Sequence, residues 1–218
     1  PEESAAPFRK KFPQFEDTIG KYKGPLVKNP AAGFAGMMTR LDSQIGELMV
    51  LLKKLGIDGS TLVMLTSDNG PHKEGGHMPQ FFDSNGPLRG IKRDVYEGGI
   101  RVPLIARWPG TIAAGTESSL ISAHWDVLPT LCELAGAKTP EGLDGISMVP
   151  TMTGKGPQQP HEFLYWEFPS VGGKQAVRMG KWKGVRLNLF KNPKARLELY
   201  DLSQDLGEEN NVAAEHPD

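Results

Sequence analysis

An α/β layer followed by a small antiparallel β module is the fold class that the sequence predicts, and three observations predict it. Apolar residues recur at three- and four-residue spacing from Phe34 to Leu55, the stripe of a long amphipathic helix. That stripe leads into Leu62-Val63-Met64-Leu65, a short apolar run with the length and bounds of a buried strand. Beyond residue 157, short segments of mixed alternation are punctuated by Gly172-Gly173 and Gly180, as in antiparallel strands joined by turns. The expected boundaries are 1–157 for the α/β part and 158–218 for the small module.

The elements follow in order. In the first thirty residues Phe8, Phe12, Phe15 and Tyr22 stand among Lys, Pro and Gly without a sustained period, which predicts an irregular excursion whose aromatics act as packing anchors. Asn29-Pro30 suits a helix start, Asn as cap and Pro as first residue. Phe34, Met37, Met38, Leu41, Ile45, Leu48, Leu52 and Leu55 then mark one face of a helix of about six turns, stopped by Gly56. Asp42 and Glu47 lie off that face and read as solvated. A helix feeding the Leu62–Leu65 strand predicts a parallel layer. The second strand is 102–108, with Pro103 at its start or on an edge. Val127, Leu128, Leu131, Cys132, Leu134 and Ala135 form a short helix closed by Gly136, and His124 and Asp126 before it read as capping or support rather than as a catalytic pair. Met148 and Val149 anchor the turn after Leu143, and 153–157 reads as a linker. Residues 161–167, 175–179, 182–187 and 197–201 are the strands of the small module.

Composition excludes several classes. In 218 residues, 38% hydrophobic content can build a core, and 26 Gly with 18 Pro imply many turns. A formal charge of −1 gives no general attraction to nucleic acid or anionic lipid, and Trp182 with Arg186 reads as packing and surface charge rather than base stacking. No apolar run approaches the length needed to cross a bilayer. The single cysteine, Cys132, excludes an intrachain disulfide. It sits among apolar neighbours in a helical pattern, as a small buried hydrophobe does.

Thr66-Ser67-Asp68-Asn69-Gly70-Pro71-His72 is the junction that carries chemistry. Asp68 and Asn69 are hard oxygen donors suited to Ca²⁺ or Mg²⁺, placed where α/β sheets bind ligands, beyond the carboxyl end of a strand. The competing reading is a plain turn, because Asp-Asn-Gly-Pro favours one. Behind it come His72, Lys73, Glu74 and His77 around Gly75-Gly76, then Asn85-Gly86-Pro87-Leu88-Arg89-Gly90-Ile91-Lys92-Arg93 and Tyr96-Glu97-Gly98-Gly99-Ile100-Arg101-Val102-Pro103. Cations and glycines at this density suit an anionic ligand: the charges offset its own, and glycine lets backbone N–H groups approach. The segment 71–99 is also longer than an ordinary connection, as functional loops are.

The runs Ser67-Asp68-Asn69-Gly70, Gly86 to Lys92 and Glu97 to Pro103, in this order and spacing, resemble the formylglycine-dependent, arylsulfatase-type sulfatases of the alkaline-phosphatase-like superfamily. The resemblance extends from near Ala31 to Glu198-Leu199-Tyr200-Asp201-Leu202 and covers the carboxyl-terminal portion of that family. It implies the carboxyl-terminal part of an α/β/α sandwich, with a small sheet covered by a final helix that would start near residue 216. Asp68 and Asn69 match calcium ligands. Lys92 matches the lysine that meets the sulfate and the bridging oxygen. His72, His77 and Arg89 are candidates for substrate contact, although His77 and Arg89 serve equally well in structural roles, Arg89 by ordering the Lys92 loop. Arg93 is expected to face solvent.

The family's nucleophile lies in a Cys/Ser-x-Pro-x-Arg motif and becomes formylglycine; neither that motif nor the paired aspartates of its amino-terminal half occurs here. The resemblance therefore implies a parent enzyme, periplasmic or extracellular, that hydrolyses sulfate esters of small molecules or carbohydrates, and a chain that is inactive alone. The uncovered sheet would encourage self-association. Two other readings are a phosphate or phosphonate ester hydrolase of the same superfamily and a non-catalytic carbohydrate-binding module.

Overall fold

The computed structural model describes residues 2–21 and 23–217, so Tyr22 lies outside the described residues. The opening segment is more regular than expected. Glu2–Arg9 forms a helix, α1, with acids in its first turn and Arg9 in its last, and Arg9 Nε meets Glu2 Oε1 at 2.8 Å. Ile19–Gly20 (β1) pairs antiparallel with Val27–Lys28 (β2). The acidic start and basic end suit the helix dipole, and docking on the next helix supplies the rest, since so short a helix is marginal alone.

That next helix, α2, spans Pro30–Lys54. Asn29 begins it in the left-handed region, and its side-chain oxygen accepts the Ala32 N–H at 3.0 Å. The Asn29 amide also donates to Phe12 O at 3.0 Å, tying the entry segment to the helix start. α1 and α2 approach closely at Gly36, where an added Cβ would stand 2.7 Å from Ala5 N. Phe12 and Phe15 pack edge-on against Phe81, at centroid distances of 5.4 and 4.8 Å, as anchors should. The apolar stripe is only partly covered: Met37, Met38, Leu41, Leu48 and Leu55 are exposed within this chain. Asp42 and Glu47 are exposed, as expected.

Val63–Thr66 (β3) and Leu104–Arg107 (β4) pair antiparallel, with Val63 opposite Arg107 and Thr66 opposite Leu104. This corrects the expected parallel layer. A helix before β3 constrains how β3 meets a strand upstream of that helix and says nothing of β4. The segment between β3 and β4 holds only a 3-10 turn at Glu74–Gly76 and one helical turn at Glu97–Ile100 (α3). It is too irregular to serve as the helical crossover that a parallel pair commonly uses. Arg107 closes the ribbon by a bidentate pair with Asp58, at 2.7 and 3.0 Å.

Val127–Ala135 (α4) ends at Gly136 in the left-handed region, the glycine cap that spares a side chain the strain. Asp126 is buried and accepts from Ala123 N, Ile146 N and His161 Nε2, at 2.7, 2.9 and 2.9 Å. It fastens the turn before α4 to the chain after it. His124 Nε2 lies 2.9 Å from Ser67 O. Neither residue forms a base–carboxylate pair with the other, and Asp126 supports structure, as its sequence setting suggested. A short helix, Val149–Thr153 (α5), follows.

The small module is a four-stranded antiparallel sheet of Leu164–Phe168 (β5), Lys174–Met179 (β6), Trp182–Leu187 (β7) and Glu198–Asp201 (β8), in that spatial order. One face carries Ala176, Val185 and Tyr200, which form a buried core with Val95, Tyr96 and Leu202. The other face leaves Tyr165, Val177, Met179 and the flanking Leu197 exposed. Among the described residues no helix is long and apolar enough to cross a membrane.

Candidate active site

The site forms where the turn after β3 meets the loop that ends in α3. Gly70 N–H donates to Gly99 O at 2.9 Å, and Lys92 N–H donates to Pro71 O at 2.8 Å. Only glycine permits this contact: a Cβ on Gly70 would fall 1.8 Å from Gly98 O, and one on Gly98 would fall 2.4 Å from Gly90 O. The three sequence runs are thus bonded into one unit, and Asp68, Asn69 and Lys92 share one end of the β3–β4 ribbon.

Asp68 is exposed and Asn69 half-buried. The Asn69 amide nitrogen donates to Gly70 O at 2.8 Å, which leaves its carbonyl oxygen as a donor atom for a cation. A carboxylate and an amide oxygen on adjacent residues fit the hard-ligand chemistry of calcium. They make a partial set: among the described residues no group of three or more His, Cys, Asp or Glu is placed to hold a metal.

Lys92 lines an open cavity of about 470 Å³ together with Lys21, His72, Lys73, Glu74, Arg93 and the Gly75-Gly76 turn. Glu74 organises one wall. Its Oε1 lies 2.6 Å from Arg93 Nη2, an ion pair by distance, and its Oε2 lies 2.9 Å from His72 Nδ1; the angles of both contacts are poor for hydrogen bonding. Partial burial works against the Glu74 charge, but Arg93, the residue's own backbone N–H and the Lys92 charge together hold its carboxyl below the usual value. Arg93 is exposed, as expected, and in that position it also meets Glu74, nineteen residues earlier in the chain.

His77 and Arg89 leave the cavity. His77 is buried and stacks on Phe34 with ring centroids 3.7 Å apart. Burial first, and then the neighbouring His72, push its pKa down. Arg89 lies over the Tyr96 ring at 4.0 Å and donates to Glu208 O at 2.6 Å and Tyr200 Oη at 3.2 Å. These contacts join the Lys92 loop to the small sheet.

Sequence reasoning missed what holds that loop. Glu97 is buried, and Lys183 Nζ meets its Oε1 at 2.7 Å while Arg178 Nη1 meets its Oε2 at 3.2 Å. Glu97 N–H donates to Glu208 Oε2 at 2.6 Å, and Lys183 also lies 3.4 Å from Glu208 Oε1. Asp94, two residues from Lys92, accepts from Ile91 N–H at 3.0 Å and from Lys174 Nζ at 2.7 Å. The only signal for Lys183 was its strand parity, which sets it on the same face as Val185. Lys21 carried none.

Comparison with known proteins places these features in context. The sulfatase family model matches residues 1–137, and the model of N-sulphoglucosamine sulphohydrolase, C-terminal, matches residues 90–217. Arylsulfatase A of Bos taurus is 36% identical over 92% of this chain, which covers 42% of that protein. Among solved structures, Ps i-CgsB in complex with k-i-k-neocarrahexaose superposes with a TM-score of 0.77 at 28% identity, over 100% of this chain and 43% of that one. The structure of BT4656 in complex with its substrate D-Glucosamine-2-N, 6-O-disulfate gives 0.67 at 25% identity, over 95% and 41%. The chain thus spans about two fifths of the length of these relatives.

Proposed function

The chain belongs to the sulfatase family, in which it corresponds to the carboxyl-terminal portion, and from that premise we propose that the complete protein hydrolyses sulfate esters of carbohydrates. The observation that carries this reading is the bonding of the Lys92 loop to the turn that bears Asp68 and Asn69, through Lys92 N–H to Pro71 O and Gly70 N–H to Gly99 O. These bonds support a site in which the Lys92 cation works beside two hard oxygen donors near one strand end. The relatives solved with saccharide ligands support a carbohydrate substrate.

Asp68 and Asn69 would hold part of the coordination sphere of calcium, which when bound polarises the sulfate oxygens as a Lewis acid. The Lys92 ammonium would contact the sulfate and the bridging oxygen, offset charge on the departing alkoxide and supply its proton. The wall of His72, Glu74 and Arg93 would orient the sugar. The nucleophile, formylglycine in the family, is not supplied by residues 1–218, where its precursor motif does not occur. An exported, periplasmic or extracellular enzyme fits this substrate class.

The experiment is a parallel assay of the complete enzyme, loaded with calcium, on 4-nitrophenyl sulfate, 4-nitrophenyl phosphate and a phenylphosphonate ester. Preferred turnover of the sulfate, lost on calcium removal and in Asp68→Ala, is expected. Preference for either phosphorus ester would replace this reading with the phosphoryl one, since both groups are tetrahedral oxyanions and the same donors serve them.

A further inference from the structure

We propose that the cavity beside Lys92 binds a second anionic group of the substrate, a sulfate or carboxylate on the sugar next to the ester, through Lys21 and Lys73. This rests on the reading of Lys92 as the contact to the ester sulfate. The cavity, at about 470 Å³, has the size of a small-molecule site and exceeds the needs of one sulfate. Its walls carry Lys21, Lys73, Lys92 and Arg93 against the single carboxylate of Glu74. Glu74 is already committed to Arg93 and His72. Lys21, Lys73 and Lys92 have no ion-pair partner within 4.0 Å among the described residues. A sulfate monoester brings one negative charge, so three unpaired ammonium groups call for more than one.

The placement of these lysines is built into the backbone. Gly20, the neighbour of Lys21, packs on the turn that follows Lys73: a Cβ on Gly20 would fall 1.8 Å from Gly75 O, and one on Gly76 would fall 2.9 Å from Gly20 Cα. Lys92 is set by its own N–H bond to Pro71 O. Three cations from three separated segments therefore meet at one opening. Ammonium groups act as point charges with rotatable donors, so the subsite accepts sulfate and carboxylate alike.

The test uses the complete enzyme with calcium and measures inhibition of 4-nitrophenyl sulfate turnover by three disaccharides of matched size. One carries a single sulfate, one a second sulfate, and one a hexuronate carboxylate beside its sulfate. Lys21→Ala/Lys73→Ala is expected to weaken the two dianionic disaccharides about tenfold more than the monosulfated one, the scale of two partly exposed ion pairs. The two dianionic arms show which anion the subsite takes. An equal loss for all three disaccharides, or no loss, overturns the proposal. So does the same selective loss from Lys53→Ala/Lys54→Ala, at the far end of α2, because net charge would then explain the effect. Failure of the underlying reading looks different: no turnover by the wild type, or undiminished turnover in Lys92→Ala. Calorimetric titration of the same disaccharides then reads the subsite directly, by the same criterion.

Discussion

At the scale of single residues, the buried charges beneath the site decide how firmly it is held. Lys183, Glu97 and Glu208 are almost wholly out of water. Burial pushes the Glu208 carboxyl up, against the opposing pull of Lys183 and the Glu97 N–H. Removing one partner from such a set leaves uncompensated charge, which typically costs roughly 3–5 kcal/mol. Lys183→Met is therefore expected to lower the unfolding free energy from urea titration by that amount, and a loss below about 1 kcal/mol would show that the network is not what fastens the loop. His77 gives a pH signature. Its folded pKa lies below 6.5, so below that pH the unfolded chain binds the proton more readily. Stability is complete above about pH 6.5, falls as pH drops through it and levels beneath the folded pKa. In His77→Phe, which keeps the stack on Phe34, denaturation midpoints at neutral and mildly acidic pH should lie closer together than in the wild type. An unchanged gap would assign the acid sensitivity to other groups. Glu97 was legible in sequence as part of a motif, but its partners were not, because Lys183 and Glu208 lie 86 and 111 residues away and no local pattern links them.

At the scale of elements, the glycines that join the β3 turn to α3 set the geometry of Asp68, Asn69 and Lys92 together. Gly70→Ala would drive a methyl group into Gly98 O. It is expected to destabilise the fold by about 1–3 kcal/mol, as overpacking does, and to weaken calcium binding in the complete enzyme, read by calorimetry. Destabilisation with calcium affinity intact would separate the turn from the metal. α2 and the strands of the small sheet were readable because periods of 3.6 and 2 act within a window of the chain. Pairing of β3 with β4 was not, because it depends on how thirty-seven intervening residues fold back, and those residues follow site geometry rather than a period. α1 was missed for a related reason: it is stabilised by docking at Gly36 of α2, which its own residues do not encode.

At the scale of the whole molecule, two apolar surfaces stay uncovered in this chain, the stripe of α2 and the outer face of the small sheet. Exposed patches of this kind favour association. We propose that residues 1–218 alone self-associate, with sedimentation velocity showing a concentration-dependent increase that Leu41→Glu/Leu48→Glu reduces. Monomeric behaviour at all concentrations would contradict this. The small sheet and the Lys92 loop share one core through Val95, Tyr96, Val185 and Tyr200, so the carboxyl-terminal module supports the loop that bears Lys92, the residue proposed to contact the sulfate. The most direct measurement is kcat/KM of the complete enzyme for 4-nitrophenyl sulfate, wild type against Lys92→Ala, with calcium affinity measured on both. Loss of about 10²–10³-fold, the scale of one charge-stabilising donor, with calcium affinity retained, is the predicted result. Turnover within about threefold of the wild type would contradict the central claim that Lys92 carries transition-state charge.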